Sequence, residues 1–371
     1  MNGATHGLVQ APPGVQCFVG DEARRRRAIE ERVVSVFEGW DYQEIIPPLY
    51  DYADVFAGGD LAPKTYSFVG RDGSLLALRP DFTSLLAKIA AGRLSGRPAP
   101  IRLYYSGEVL RYEPPQAGRQ SELFQMGLEH LGGASRAADA EVLAVAAECL
   151  ETLGASGWVL ALGHVGVFNG LLEGSGIEGP RLATLRERVE GKDPAGVREV
   201  LAQGGASAQV TEAVVRLTGL AGDVSVLGEA SRAFAFSPCA RGAVEELSVV
   251  VEALRGAGLA DRLVLDLGEV RGLDYYTGLV FRVYAPGLGF EVGGGGRYDA
   301  LLARFGRPMP AVGFMLGLDR VALLLERQGA AVPPAPAAEA VGGGGLGASL
   351  LRARERRSVG ARVRFGDGGG V

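Results

Sequence analysis

Residues 101–113, IRLYYSGEVLRYE, and residues 122–132, ELFQMGLEHLG, are two β-rich segments joined by a short polar loop. In the second segment, strand alternation puts Gln125, Gly127 and Glu129 on one face and the apolar residues between them on the other. The polar face offers an amide, a gap without a side chain and a carboxylate, which together would form a floor for a small amine-bearing ligand. The alternative is an ordinary solvent-exposed polar face, which antiparallel sheets commonly have.

The rest of the chain repeats this kind of organisation. Antiparallel β-segments flanked by helical segments, without strict β–α–β alternation, predict an α+β fold built on an antiparallel sheet. We predict a core in two parts, residues 1–176 and 261–326, separated by a mostly helical insertion at 177–260. Residues 327–371 are low in complexity and bury too little apolar surface to offset their ordering entropy, so we predict a poorly ordered tail.

Composition excludes several classes of function. The chain has 371 residues, a formal net charge of −5 and 47% hydrophobic residues, which are ordinary values for a packed globular protein. Neither a membrane-length apolar run nor a secretory signal is seen. The three cysteines are far apart and indicate reduced thiols in the cytoplasm, and with only three histidines we expect no metal site and no cofactor.

Two further clusters are candidates for binding. Arg111 and Glu113 end the first β-segment and point the same way, so the arginine could hold a carboxylate or phosphate; an internal Arg–Glu pair is the alternative. Arg271 and the adjacent Tyr275 and Tyr276 resemble the rim of a pocket, although aromatic packing within the sheet would also explain them.

A glycine run and one arginine follow. Gly293 to Gly296 precede Tyr298 and permit close approach of a ligand, but they do not fit a phosphate-binding loop. Arg320 lies at the start of a helix, where it would otherwise be an ordinary surface arginine.

Taken in order, these segments resemble the catalytic core of class II aminoacyl-tRNA synthetases of the histidyl type, over roughly residues 12–326. Residues 44–52, EIIPPLYDY, resemble motif 1, and residues 110–132 resemble motif 2. Residues 271–281, RGLDYYTGLVF, are similar to the histidine-recognition segment. Residues 294–306, GGGRYDALLARFG, and 311–320, AVGFMLGLDR, resemble the approach to motif 3 and its arginine.

Two families share this core: histidyl-tRNA synthetases and the regulatory subunits of ATP phosphoribosyltransferase. Residues 79–83 are RPDFT where the synthetase pattern has R-P-E-G-T, and residues 58–66, GGDLAPKTY, also resemble the regulatory family. The residues after the core are too few for an anticodon-binding domain. The resemblance therefore favours a non-catalytic regulatory subunit; a truncated or paralogous synthetase that activates histidine with ATP is the alternative, and a binding module with another partner is a third.

The resemblance also implies sites and partners. Catalytic residues are not expected. It implies a homodimer through the motif 1 region, a short-form ATP phosphoribosyltransferase catalytic subunit as partner, L-histidine as effector and no productive tRNA binding. The implied histidine-binding residues are Asp81, Thr83, Gln125, Glu129, Arg271, Tyr275, Tyr276 and Tyr298. The implied anion or vestigial ATP site consists of Arg111, Glu113 and Arg320.

Overall fold

The computed structural model describes residues 11–58, 61–112, 120–270, 275–330, 338–341 and 345–365. The first part of the core contains α1 (Gly20–Gly39), β1 (Gln43–Glu44), β2 (Tyr50–Tyr52), β3 (Ser67–Val69), β4 (Leu75–Leu78), α2 (Thr83–Ala91), β5 (Ile101–Leu110), β6 (Glu122–Leu131), α3 (Arg136–Thr152), β7 (Val159–His164) and α4 (Val165–Leu172). The second part contains β9 (Leu263–Asp266), β10 (Leu279–Tyr284), β11 (Gly293–Arg297), β12 (Ala311–Gly317) and α10 (Leu318–Arg327).

Both parts contribute to one nine-stranded sheet. Its strand order is β1-β5-β6-β12-β11-β10-β7-β9-β8, where β8 (Ala221–Gly222) is a two-residue edge strand. Neighbouring strands are antiparallel except for two parallel pairs, β1 with β5 and β7 with β9. The α+β class predicted from the sequence is confirmed, and the two parallel pairs, both at short strands, make the sheet mixed.

Helices cover the apolar face of this sheet. Met126 and Leu128 of β6 are fully buried in the same hydrophobic cluster as Phe37 of α1, Val142 of α3 and Phe168 of α4. These side chains recur at the helical and strand spacings that the sequence shows, because each element buries one face and leaves the other free. The opposite face of the sheet, which carries Gln125 and Glu129, is therefore available for a binding site.

The predicted insertion interval contains five helices: α5 (Gly179–Glu190), α6 (Pro194–Gln203), α7 (Ala208–Leu217), α8 (Ser225–Ala233) and α9 (Pro238–Gly256). Two features tie it to the core. Strand β8 pairs with β9, and α9 packs against α3 and α4. The domain boundaries drawn from sequence remain a prediction.

The described part of the tail has regular structure that the sequence analysis did not predict. Strands β13 (Glu339–Val341) and β14 (Val363–Phe365) pair in parallel and are joined through helix α11 (Leu346–Ser358). Arg356 of α11 forms an ion pair with Glu339 of β13. The glycine and proline residues around these elements gave the segment a low-complexity composition, so neither the helix nor the strand pair was predicted from the sequence.

Strands β2, β4 and β3 form a separate three-stranded antiparallel sheet, in that order. The segment that resembles motif 1, residues 44–52, is divided between β1 in the main sheet and β2 in this small sheet. The Pro47-Pro48 pair separates them, since proline lacks the N–H group that a continuous ladder needs.

Candidate functional site

Strand β6 forms the floor of the site, as the alternation of its residues predicts. Gln125 and Glu129 are 4% and 2% exposed and share the face opposite the apolar core. Glu129 is aligned with Gly313 of β12, and a Cβ atom at residue 313 would occupy the position of the Glu129 carboxylate. The glycine on the neighbouring strand therefore provides the space in which this buried acid lies.

Two hydroxyl groups hold the Glu129 carboxylate. Thr83 at the start of α2 donates a hydrogen bond to Oε1 at 2.7 Å, and the Tyr298 hydroxyl donates to Oε2. Burial raises the pKa of Glu129 from 4.5 to about 8, although the two hydrogen bonds oppose the shift; nearby Asp81 raises it further. Glu129 is thus a buried acid whose charge a ligand can change near neutral pH.

Asp81 and Phe82 lie beside Thr83 in the cavity wall. The Asp81 carboxylate accepts hydrogen bonds from the Ser84 backbone N–H at 2.7 Å and from the Ser84 hydroxyl at 3.3 Å. Burial in the wall raises the pKa of Asp81. Phe82 stacks on the Tyr105 ring with centroids 4.0 Å apart, so the phenyl group fills space beside the floor.

Aromatic rings form the rim above Glu129. The rings of Tyr275 and Tyr276 are 4.4 Å apart, and Tyr275 makes an edge contact with Tyr298 at 5.9 Å. Desolvation raises the pKa of each of these three hydroxyl groups, so they stay neutral and can both donate and accept hydrogen bonds. The rim is therefore aromatic and uncharged.

Floor and rim belong to a cavity of about 710 Å³. One face of helix α5 forms a second wall, since Ala183, Arg186, Glu187 and Glu190 all line the cavity at helical spacing. Such a volume lies within the roughly 300–1,000 Å³ range of small-molecule sites, towards its upper part. The cavity therefore touches both the sheet and the predicted insertion.

The far end of the cavity carries charges that pair with one another. Arg282 lies 3.2 Å from Glu269 and 3.9 Å from Glu291. Arg320 donates to the Glu291 side chain and to its backbone carbonyl, both at 2.8 Å. Burial opposes ionisation of Glu291, but the hydrogen bond and charge of Arg320 prevail and lower its pKa. Both arginines are thus engaged by carboxylates of the chain itself.

The structure brings most of the sequence-predicted site residues together. The cavity is lined by Asp81, Thr83, Arg111, Gln125, Tyr275 and Tyr276, and Tyr298 and Glu129 lie beneath the rim. Arg320 is not among the lining residues and instead lies behind Glu291. Arg271 and Glu113 lie outside the described residues, so their predicted roles stay predictions.

Sequence analysis missed two parts of the cavity. Tyr105 is paired with Gly127 across β5 and β6, and its ring occupies the gap that the glycine leaves; this glycine was the available signal. The charges at the far end, Glu269, Arg282 and Glu291, are scattered along the sequence and carry no motif. Only the three-dimensional fold brings them together.

Two further findings bear on the class of protein. Within the ranges given above, three or more His, Cys, Asp or Glu side chains nowhere cluster as metal ligands would. None of the helices in the described part of the chain is both long and apolar enough to cross a bilayer.

Comparison with known proteins places this site in a family. The histidyl-tRNA synthetase family model matches residues 14–321. The ATP phosphoribosyltransferase regulatory subunit of Moorella thermoacetica is 40% identical over 96% of this chain and 91% of its own length. That of Geobacter sulfurreducens is 41% identical over 85% and 73%. The chain belongs to the family of ATP phosphoribosyltransferase regulatory subunits.

A solved structure agrees with this assignment. A protein from Bacillus halodurans, described as an ATP phosphoribosyltransferase regulatory subunit/histidyl-tRNA synthetase, is 27% identical and has a TM-score of 0.85. The similarity covers 98% of this chain and 94% of that one. The class II synthetase-like fold of this regulatory-subunit family, expected from the motifs, is therefore confirmed for the chain.

Proposed function

We propose that this protein is a non-catalytic regulatory subunit that binds L-histidine at Glu129 and transmits feedback inhibition to a short-form ATP phosphoribosyltransferase in the cytoplasm. That enzyme catalyses the first step of histidine biosynthesis. The observation that carries the proposal is the buried Glu129 carboxylate, held by Thr83 and Tyr298 at one end of a cavity whose other end is neutralised internally.

The chemistry of histidine matches the Glu129 end. The ligand has an ammonium group, a carboxylate and an imidazole that needs both a donor and an acceptor. Glu129 and the amide of Gln125 supply such groups on the floor, and neutral tyrosine hydroxyl groups supply them at the rim. Arg111 lines the same cavity and offers a guanidinium to the ligand carboxylate, as does Arg271 by resemblance.

The far end of the cavity supports a sensor more than a synthetase. Activating an amino acid with ATP requires cations placed where charge develops on the phosphates. Here Arg320 and Arg282 are both paired with Glu291, and two further glutamates of α5, Glu187 and Glu190, face the cavity. A polyphosphate entering this end would meet carboxylates and would have to break existing ion pairs.

Regulation requires that histidine favour one state of the assembly over another. Helix α5 forms one wall of the cavity and the floor belongs to the sheet, so a ligand that spans the cavity would touch both. Filling the cavity would therefore favour one placement of α5 against the sheet. A catalytic subunit that contacts the chain near α5 would respond to this difference.

We also propose that a second copy of the chain covers the small sheet. Strand alternation places three exposed aromatic side chains on one face of this sheet. These side chains are Tyr50, Tyr52 and Phe68, and the rings of Tyr50 and Phe68 are 5.8 Å apart. Because Tyr50 and Tyr52 lie on this face and are 52% and 56% exposed, replacing both with glutamate should leave the fold intact and produce monomers in analytical ultracentrifugation. An unchanged dimer would place the interface elsewhere.

The basic segment of α1 gives no support to nucleic-acid binding. Each of its four consecutive arginines lies next to an acidic partner; the pairs are Arg24–Asp21, Arg25–Glu326, Arg26–Asp319 and Arg27–Glu30. Phosphate contacts need arginines that are available to the nucleic acid. The proposal therefore includes no productive binding of tRNA.

One paired assay tests the proposal. The purified chain is added to the short-form catalytic subunit with and without L-histidine, and histidine-dependent ATP–pyrophosphate exchange is measured with the chain alone. We expect transferase activity that depends on the chain and falls on adding histidine, with no exchange. Exchange activity without any effect on the transferase would instead identify a synthetase that activates histidine.

A further inference from the structure

Arg297, the residue before Tyr298, is buried on the face of the sheet opposite the cavity, where it is 8% exposed. All five of its guanidinium N–H groups meet acceptors. Nε and Nη2 contact the Asp139 carboxylate at 2.9 and 2.7 Å, and the carbonyl groups of Gly133 and Ser135 lie at 3.0 and 3.4 Å. The fifth N–H donates to Asp299 at 3.0 Å. The side chain is therefore fixed in one geometry.

These contacts fix both neighbours of Tyr298. Arg297 holds the position before it, and Asp299, the position after it, accepts from Arg297 and from the Ala311 backbone N–H at 3.0 Å. Between these two anchored residues the Tyr298 ring points to the cavity face, where its hydroxyl group meets Glu129. A shift of Arg297 would move the tyrosine directly.

The same arginine anchors the aromatic rim. The Thr277 backbone N–H donates to the Arg297 carbonyl at 2.7 Å, and the Thr277 hydroxyl accepts from the Asp299 N–H at 2.9 Å. The side chain of Arg297 lies against Gly278, where an added Cβ would come within 2.9 Å of its Cδ. The chain immediately after Tyr276 is therefore held by the backbone carbonyl of Arg297 and packs against the side chain of Arg297.

We propose that Arg297 is a positioning residue of the ligand pocket: from the far face of the sheet it holds Tyr298 against Glu129 and the rim residues Tyr275 and Tyr276 above it. The proposal rests on the proposed function, because it concerns the histidine pocket. It goes beyond that function by assigning ligand affinity to a residue that does not line the cavity.

Arg307 provides a matched control. It is partly buried and donates to the carbonyl groups of Ala90, Leu94 and Arg97 at 2.7–2.8 Å, so it too stabilises the chain through backbone acceptors. None of these contacts involves Tyr298, Glu129 or the rim. Arg297→Lys and Arg307→Lys both remove guanidinium contacts, but only the first disturbs the anchor of Tyr298.

The first measurement needs no ligand. In protein labelled at the glutamate carboxyl carbon, NMR follows the titration of Glu129, with Glu129→Gln assigning the signal. Losing the Tyr298 hydrogen bond removes a contact that lowers the pKa, so Tyr298→Phe should raise the pKa of Glu129. We expect Arg297→Lys also to raise the pKa of Glu129 and Arg307→Lys to leave that pKa unchanged. The double variant Arg297→Lys/Tyr298→Phe should have the same Glu129 pKa as Tyr298→Phe alone.

None of the other groups around Glu129 is substituted in the Arg297, Tyr298 and Arg307 variants. Besides Tyr298, the groups that face it are Thr83, Asp81, Tyr105 and the rim tyrosines. If Arg297→Lys does not fold, Thr277→Val tests the same anchor through the rim. The proposal would be overturned if Arg297→Lys and Arg307→Lys shifted the pKa of Glu129 equally. It would also be overturned if the shifts caused by Arg297→Lys and Tyr298→Phe added independently in the double variant.

The second measurement is calorimetric titration with L-histidine. Arg297→Lys should weaken binding roughly tenfold, as expected for one misplaced hydrogen bond near a charged group, and Arg307→Lys should not. If the wild-type protein does not bind histidine, the proposed function fails, while the titration of Glu129 still decides whether Arg297 positions Tyr298. Normal affinity in Arg297→Lys would contradict the positioning role.

Discussion

The two ends of the cavity each contain a glutamate, fully buried at residue 129 and partly buried at residue 291, and the pKa of the first is raised while that of the second is lowered. Among the described residues, Glu129 receives its hydrogen bonds from two neutral hydroxyl groups, and burial raises its pKa to about 8. Glu291 receives a hydrogen bond from Arg320 and lies near Arg282, so its pKa is lowered despite burial. The comparison shows that one end contains a protonated acid held by hydroxyl groups, while the other end contains an ionised glutamate paired with arginines.

Under the proposed function, this difference would account for a synthetase-like cavity that senses an amino acid without activating it. Recognition of an amino acid uses the floor and rim at the Glu129 end. Activation would additionally need free cations at the Glu291 end, where nucleotide phosphates would approach. In the proposed sensor, the Glu129 end would bind the ligand and the paired charges at the Glu291 end would not support the chemistry.

The largest expected effect is on ligand affinity. Glu129→Gln removes the only acid on this face of β6 and should weaken L-histidine binding by about two to three orders of magnitude, because a neutral amide cannot give up a proton and become the anionic partner of the ligand ammonium group. Glu291→Gln is the matched change at the other end and should alter affinity less than about threefold. Isothermal titration calorimetry with L-histidine measures the affinity of both variants. Equal losses would mean that the two ends act as one site.

The next effect is on the free energy of unfolding, which Glu129→Gln should increase. Between pH 4.5 and about 8, folded Glu129 keeps a proton that the unfolded chain has released, so the unfolding free energy falls as pH rises. Glu129→Gln lacks this penalty. We expect the variant to be more stable than wild type by about 2 kcal/mol at pH 8, with the gap closing below pH 4.5. Urea unfolding at several pH values measures it; a gap independent of pH would contradict the buried-acid assignment.

The smallest effect has the opposite sign. Glu291 has a lowered pKa in the folded protein, so its contribution is present above pH 4.5 and is lost as pH falls through the folded value. Glu291→Gln should reduce the unfolding free energy by about 1 kcal/mol at pH 7, since it removes a partly buried ion pair. The same urea series should show this difference disappearing in acid, and a stabilised variant would show that the arginine contacts carry no net energy.

Strand periodicity was enough to predict the floor. Alternation alone places Gln125 and Glu129 on one face, and the structure has them there, with Gly127 leaving room for Tyr105. The resemblance to a family added Thr83 and Tyr298, which come from distant segments. Their hydrogen-bond roles toward Glu129 could not be derived from spacing, because residue 298 reaches residue 129 only through pairing of β6, β12 and β11.

The far end was beyond sequence reasoning for a physical reason. Arg320 was expected to face an anion, but a single carboxylate at residue 291 is enough to redirect it. Ion pairs of this kind depend on side-chain geometry and leave no periodic trace. The wall formed by α5 was also missed, because a helix with charged residues at that spacing has the pattern of any solvated helix face.

The contact between Tyr298 and Glu129 joins residues 169 positions apart in the chain, across strands β6 and β12. During synthesis, strand β6 is made well before the residues that complete the pocket around Glu129. Contacts between residues so far apart in the sequence form late in folding. A growing chain that has not yet reached residue 313 has no Glu129 pocket. The proposed binding of histidine would therefore require a chain synthesised beyond residue 313, and the free amino acid would not influence earlier stages of synthesis.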